Sequence, residues 1–148
     1  MSVEQPGDGR LVVADIDPAL DPLCHVVLDR PRIAANIAAI VRLCAGTGSA
    51  LHVCGPLVFD DGDRTRWRAG VDSWPKARVH FHQTLPRCLT LLEQDPWVVP
   101  RPPSGTSMGR RGLPWVVEVG GSQTPWQASL MRGDVIILGP EDGDVDQT

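Results

Sequence analysis

The sequence lacks the signals of several common protein classes. No apolar run approaches the roughly 20 residues that cross a membrane, and the opening stretch MSVEQPGDGR has no basic segment followed by a long apolar one. Positive charge is not in excess, because 14 Lys and Arg stand against 18 Asp and Glu, for a net charge of -4. Proteins that neutralise nucleic-acid phosphates are usually basic, so any RNA contact must come from a local patch. We predict a cytoplasmic protein without a membrane segment.

Signatures of catalysis and of metal binding are also scarce. The four cysteines form no C-x-x-C pair, and a chain of 148 residues folds without disulfides, so reduced thiols are expected. No Ser-His-Asp set, P-loop or H-E-x-x-H motif is present. His52 and Cys54 share one side of a predicted strand. His80 and His82 share a side of another, which makes a zinc site conceivable. Because no four-ligand set is visible, and because isolated histidines on strands are usually structural or exposed, we predict no metal.

Hydrophobic patterning predicts alternating strands and helices. The predicted strands are LVVADI at 11–16, HVVLD at 25–29, ALHVC at 50–54, ARVHFH at 77–82, VVEV at 116–119 and DVIIL at 134–138. One helix is predicted from Ile33 to Cys44, ended by Gly46 and Gly48, and another over TLPRCLTLLE with Thr84 as its cap. A short third helix is predicted over TPWQASLMRGD, ending at Gly133. This alternation predicts an α/β fold, a parallel sheet with helices on both faces.

The length predicts one domain with additions. Residues 1–23 form an N-terminal extension that we expect to be partly mobile, 24–141 form the domain, and 142–148 form a solvated acidic tail. The segment near 100–113 is rich in Pro, Gly and Ser, which predicts an inserted surface loop. Turns at Gly120-Gly121 and Gly139-Pro140-Glu141 follow predicted strands. Ligands of parallel sheets bind at such strand ends, although ordinary tight turns have the same composition.

Three segments resemble a known family. They are PRIAANIAAIVRLCAGTGSALHVCGP, RAGVD at 68–72 and GPE at 139–141, and they are similar to the SPOUT superfamily, in particular to the SpoU-type tRNA 2'-O-ribose methyltransferases that modify the anticodon wobble position. The resemblance implies a Rossmann-like SPOUT sheet, S-adenosylmethionine as cofactor, tRNA or another structured RNA as substrate, and a homodimer.

The resemblance also implies roles for particular residues. Asn36 and Arg42 stand at the ends of the family motif N-x-G-x-x-x-R, with Ala38 in place of the glycine. Arg42 is expected to help activate the ribose 2'-hydroxyl or to hold an RNA phosphate. A helix-surface arginine that covers apolar neighbours is the alternative. The cofactor-binding residues implied are Val117, Gly121, Gly139, Pro140 and Glu141.

A basic cluster interleaved with tryptophan is the candidate RNA contact. It consists of Arg64, Arg66, Trp67 and Arg68, and cations beside an aromatic ring can hold phosphates while a base stacks. Solvated surface is the commoner meaning of such a cluster.

Family members continue past G-P-E with T-R-G-L and a third motif that completes a trefoil knot, whereas DGDVDQT follows here. We therefore expect the knotted segment to be missing, the fold to be unknotted and catalysis to be impaired or lost. An active enzyme completed by a partner, and a non-catalytic RNA-binding or assembly module, are the alternatives. Apolar surface exposed by the missing segment predicts a homodimer.

Overall fold

One mixed sheet of six strands organises the part of the chain that the computed structural model describes, which is residues 10–11, 22–58, 77–94, 114–143 and 145. The strands are β1 (Arg10–Leu11), β2 (His25–Asp29), β3 (Ala50–Cys54), β4 (Arg78–His82), β5 (Trp115–Val117) and β6 (Val135–Leu138). Their spatial order is β1-β4-β3-β2-β6-β5. All neighbours run parallel except β1, which pairs antiparallel with β4. The predicted parallel α/β sheet is confirmed, with an antiparallel strand added at one edge.

Helix α1 (Ala34–Thr47) covers one face of the sheet. Ile37, Val41 and Cys44 recur at helical spacing and are buried. The helix passes through Gly46, which the sequence predicted as part of its end, and stops at Gly48. Gly48 has a φ of 71°, and this left-handed conformation lets its N–H donate to the carbonyl oxygen of Cys44.

Helix α2 (Leu85–Gln94) covers the opposite face, so the prediction of helices on both faces is confirmed. Its first turn is held as the sequence predicts, because the N–H of Arg87 donates to Oγ1 of Thr84 at 3.4 Å. Leu85, Cys88 and Leu92 form its buried stripe. Their spacing of three and four residues places them on one side of the helix.

The two faces of the sheet differ in chemistry. The face under α1 is apolar and consists of Val26, Leu28, Leu51, Val53, Val79 and Phe81. Because successive residues of a strand point to opposite faces, the intervening residues line the face under α2. That face combines apolar side chains with buried polar ones, which include His25, Asp29, His52, Arg78 and His82.

The expectation that the histidines are isolated on their strands is wrong. Because the parallel register places His52 opposite His80, the side chains of neighbouring strands meet on the face under α2. The ring of His52 stacks on that of His80 with centroids 4.9 Å apart and on that of His82 at 5.2 Å. His25, His52 and His82 are each at most 3% exposed.

Three predicted elements differ from the structure. The segment 124–133 forms turns and not the predicted helix. In one of these turns the N–H of Gln127 donates to the carbonyl oxygen of Thr124 at 2.9 Å. Trp126, Leu130 and Met131 are exposed there, so the segment buries no apolar face that would stabilise further turns. Strand β5 covers Trp115–Val117, so the predicted strand over 116–119 is shifted by about one residue and shortened. Of the strand predicted over 11–16, the structure describes Leu11, which belongs to β1.

Several predictions lie outside the described residues. They concern most of the N-terminal extension, the RNA-contact cluster Arg64, Arg66, Trp67 and Arg68, and the loop near 100–113. In the segment predicted as a solvated acidic tail, Val145 is buried and belongs to the same apolar cluster as Val27 and Leu85, so this part of the tail belongs to the core. Among the described residues, no helix is long and apolar enough to span a membrane.

Candidate functional site

The carboxyl ends of the parallel strands converge on one edge of the sheet. The register pairs Val117 of β5 with Leu138 of β6, so the turn at Gly120-Gly121 and the turn that begins at Gly139 follow neighbouring strands. Strand β2 pairs with the other side of β6, with Leu28 opposite Leu138, and leads into α1. The sheet therefore brings the predicted cofactor turns and the N-terminus of α1 to the same edge.

The carboxylate of Glu141 joins the turn after β6 to the start of α1. Its Oε2 accepts a hydrogen bond from the N–H of Arg32 at 2.7 Å, and its Oε1 accepts one from the N–H of Ile33 at 3.1 Å. The same Oε1 accepts the side-chain amide N–H of Asn36 at 2.9 Å. Two of the residues that the family motifs single out, Asn36 and Glu141, are thus in direct contact.

This contact takes the place of a local helix cap. The residue at the N-cap position is Ile33, whose side chain has no hydrogen-bonding group, and α1 has no acidic residue in its first turn. The free N–H groups at a helix N-terminus favour a negative charge, which Glu141 brings from 108 residues further along the chain.

The environment of Glu141 keeps its carboxyl group ionised. Partial burial acts to raise its pKa, but the hydrogen bonds from the N–H of Arg32, from its own N–H, from Asn36 and from the N–H of Ile33 outweigh that effect. The pKa of Glu141 therefore lies below its usual value. A carboxylate held in this way is a poor proton acceptor.

Arg42 lies on α1 with an exposed side chain. It stands six residues after Asn36, which corresponds to a rise of about 9 Å along the helix. A second cation, Arg32, lies nearer the turn after β6 and pairs with Asp142 at 2.9 Å. Both partners are more than half exposed, so this ion pair adds little stability.

An open cleft lies along β5 and the turn that follows it. It has a volume of about 470 Å³. Val117 and Gly121, both predicted to border the cofactor, line it together with apolar Leu130 and Ile136. Polar groups come from a second set of lining residues, namely Glu118, Ser122, Gln123 and Thr124. Gly139, Pro140 and Glu141 are not among its lining residues and lie beyond the end of the adjacent β6.

Asp134 fixes the strands beside the cleft, and sequence reasoning missed it. Its Oδ2 accepts the indole N–H of Trp115 at 3.0 Å and the N–H of Met131 at 2.8 Å. Its backbone oxygen accepts the N–H of His25 at 2.8 Å. The only sequence signal was an acidic residue directly before the apolar run VIIL, which also suits an ordinary turn.

The fold defines an α/β protein whose candidate ligand site lies at the carboxyl edge of a parallel sheet. Comparison with known proteins places the chain further. It belongs to the SpoU rRNA Methylase family, whose profile matches residues 23–148.

Curated relatives match parts of the chain. A tRNA (cytidine(34)-2'-O)-methyltransferase of Methylovorus glucosotrophus is 32% identical over 116 residues, which are 78% of this chain and 64% of the relative. A Synechocystis protein assigned to the same activity is 43% identical over 68 residues, which are 46% of this chain and 44% of that protein. The matches thus span less than two thirds of these relatives.

Solved structures resemble the fold as well. One, described as giving structural insights into the 2-OH methylation of C/U34 on tRNA, aligns with 83% of this chain and 70% of its own, with a TM-score of 0.62 and 27% identity. An RNA methyltransferase candidate from Bacillus anthracis aligns with 83% of this chain and 69% of its own, with a TM-score of 0.60 and 25% identity. The predicted resemblance to SPOUT methyltransferases is confirmed.

Proposed function

We propose that this chain methylates a ribose 2'-hydroxyl of tRNA with S-adenosylmethionine as methyl donor. The observation that carries the proposal is the contact of Glu141 with Asn36 and with the N–H groups of Arg32 and Ile33. This contact joins the turn after β6, which the family resemblance assigns to cofactor binding, to α1, which it assigns to RNA binding. The activities named for the relatives, wobble-position 2'-O-methylation of tRNA, support the same reaction.

The cleft beside β5 suits a cofactor of this kind. Its volume of about 470 Å³ lies within the range of small-molecule sites. Val117, Leu130 and Ile136 offer apolar surface to a purine ring, while Ser122 and Thr124 offer hydroxyl groups to a ribose or an amino-acid moiety. S-adenosylmethionine supplies an electrophilic methyl group when it is bound. In this proposal the backbone from Gly139 to Glu141 borders it from the adjacent strand.

The residues of α1 then act on the RNA side. Arg42 presents an exposed guanidinium group that holds a phosphate or stabilises the charge developing on the attacking oxygen. Asn36 has its amide bound to Glu141, so we assign it a positioning role. Methyl transfer requires the acceptor oxygen close to the methyl carbon and in line with it, so a hydrogen bond that fixes α1 relative to the turn after β6 helps to place the two reactants.

Calorimetry with S-adenosylmethionine and transfer of labelled methyl groups to bulk tRNA test the proposal. We expect saturable cofactor binding and label that appears at a 2'-O position. Arg42→Ala should lower methyl transfer at least tenfold while cofactor binding is kept. Arg87→Ala, an exposed arginine on α2, is the matched control and should change neither. Absence of methyl transfer by the folded protein contradicts the proposal, whether or not the cofactor binds.

The same experiment tests the predicted impairment of catalysis. Cofactor binding without methyl transfer supports an impaired enzyme, and transfer that appears only with cell extract supports completion by a partner. Replacement of Arg64, Arg66 and Arg68 together by Ala tests the predicted RNA contact, for which we expect weaker tRNA binding with unchanged cofactor binding.

We also propose a homodimer. Around β5 and the turns after it, the exposed apolar side chains include Val119 at 107% and Trp126 at 91% exposure, and a surface of this kind favours association. Light scattering at micromolar concentration tests it. A monomeric mass contradicts the proposal, and Trp126→Ser should shift a dimer toward monomer.

A further inference from the structure

A second cluster of reactive side chains lies away from the strand-end site, between the sheet and α2. Nitrogen or sulfur atoms of His52, His82 and Cys88 all lie within 4.8 Å of one another, and the three residues are buried. His52 comes from β3, His82 from β4 and Cys88 from the first turn and a half of α2. Cys54 follows His52 by two residues on the same face of β3 and packs in the same cluster as Cys88.

Hydrogen bonds among neutral rings do not satisfy this cluster. Nδ1 of His52 lies 2.9 Å from Nε2 of His82, and Nε2 of His52 lies 3.0 Å from Nδ1 of His25. A neutral imidazole has one N–H donor and one acceptor nitrogen. Nδ1 of His82 is buried and finds no hydrogen-bond partner among the described residues. A buried nitrogen without a partner is costly, so the row of rings from His25 through His52 to His82 is not a self-sufficient hydrogen-bond network.

We propose that His52, Cys54, His82 and Cys88 form a structural zinc site, which reverses the expectation that the chain binds no metal. Imidazole and thiolate are the ligands that zinc prefers, and four protein ligands in a closed, tetrahedral set are typical of structural sites. All four residues are at most 3% exposed, so no position is open to substrate or bulk water. The site holds β3, β4 and α2 together.

One ligand pair lies close to the separation that a tetrahedral site requires. With zinc–nitrogen bonds of about 2.0–2.1 Å, two ligand nitrogens of a tetrahedral site lie about 3.3 Å apart. The separation of 2.9 Å between the rings of His52 and His82 is short of this by a few tenths of an ångström. When Nδ1 of His52 binds the metal, its Nε2–H donates to Nδ1 of His25, which fixes the orientation of the ligand ring.

Cobalt substitution in the purified, reduced protein tests the proposal. We expect one Co²⁺ per chain, with the intense visible bands of tetrahedral cobalt and a near-ultraviolet band from sulfur-to-cobalt charge transfer. Zinc should replace the bound cobalt, so these bands should disappear when zinc is added. Saturating zinc should also raise the midpoint of thermal unfolding. A folded protein that shows no tetrahedral cobalt spectrum overturns the proposal.

Variants with matched controls locate the site. Cys88→Ser and His82→Gln should abolish the bands and the thermal shift, whereas Cys44→Ser, a buried cysteine on the other face, should keep both. His80→Gln, a ring that stacks on His52 outside the ligand group, should also keep them. His25→Gln should weaken zinc binding by about ten- to a hundredfold, as loss of a supporting hydrogen bond does. Bands that persist in both Cys88→Ser and His82→Gln contradict the assignment.

Discussion

The two faces of one sheet are built by different chemistry from the same strands. In HVVLD, ALHVC and RVHFH, one set of alternating residues is aliphatic or Phe and packs beneath α1. The other set carries all four histidines of the chain, together with Asp29 and Arg78, and faces α2. Alternation of this kind usually means that one face is exposed to water. Here a helix covers the polar face, so polar groups must pair with one another or with a ligand.

The comparison predicts the largest losses of stability under α1. Leu51→Ala removes a side chain with 0% exposure from a core of apolar neighbours. Because those neighbours offer nothing that can fill the space, we expect a loss of about 2–5 kcal/mol in the free energy of unfolding. Urea titration measures it. A loss below about 1 kcal/mol would mean that this face is loosely packed.

A matched pair of substitutions sharpens the comparison. Val53 lies beneath α1 and Val27 beneath α2, both with 0% exposure, on neighbouring strands. We expect Val53→Ala to cost about 2 kcal/mol and Val27→Ala about 1 kcal/mol, since a cavity beside polar groups can hold a water molecule and one among alkyl groups cannot. Urea titration of both variants decides it. Equal losses would show that the two faces respond alike.

The next largest loss of stability is expected when the carboxylate of Glu141, which caps α1, is removed. Glu141→Gln removes the charge that caps α1, and we expect a loss of about 1 kcal/mol at neutral pH. Because the pKa of Glu141 is lowered in the fold, its contribution is present above the usual carboxyl pKa and is lost as pH falls through the folded value. The difference in stability between the wild type and Glu141→Gln should therefore shrink in acid below about pH 4.5. A constant difference across that range would exclude the charge as its cause.

The smallest change in stability is expected at Asp142, the residue after Glu141. Asp142→Asn breaks the ion pair with Arg32, whose two side chains are 53% and 59% exposed. We expect a change of at most about 0.5 kcal/mol, further reduced by salt. The variant also serves as the control for Glu141→Gln. A loss comparable to that of Glu141→Gln would mean that Arg32 anchors the turn.

Short-range patterns predicted the fold well and the meeting of distant residues poorly. The β-branched runs gave β2, β3, β4 and β6, and helical periodicity gave α1 and α2. The segment with Trp126 was predicted as a helix because its composition allows one, but it packs no apolar face against the sheet. Local pattern cannot report that, since the stabilising contacts of a helix are tertiary.

The contacts that build the candidate sites could not be predicted from local sequence patterns either. The motif resemblance gave Asn36 and Glu141 separately, while their contact follows from the pairing of β2 with β6. The cluster of His52, His82 and Cys88 depends on the register of β3 and β4 and on the position of α2 over them. A shift of one residue would send either histidine to the other face, and sequence spacing alone does not fix register between distant strands.

The capping of α1 by Glu141 also bears on how the chain is made. A ribosome synthesises the first residues of α1 more than a hundred residues before the carboxylate that accepts hydrogen bonds at its N-terminus. Because β6 pairs with β2, the carboxylate of Glu141 reaches the N–H groups of Arg32 and Ile33 only when this part of the sheet is formed. The cap of the helix that we assign to RNA contact therefore depends on β6 and on the turn after it.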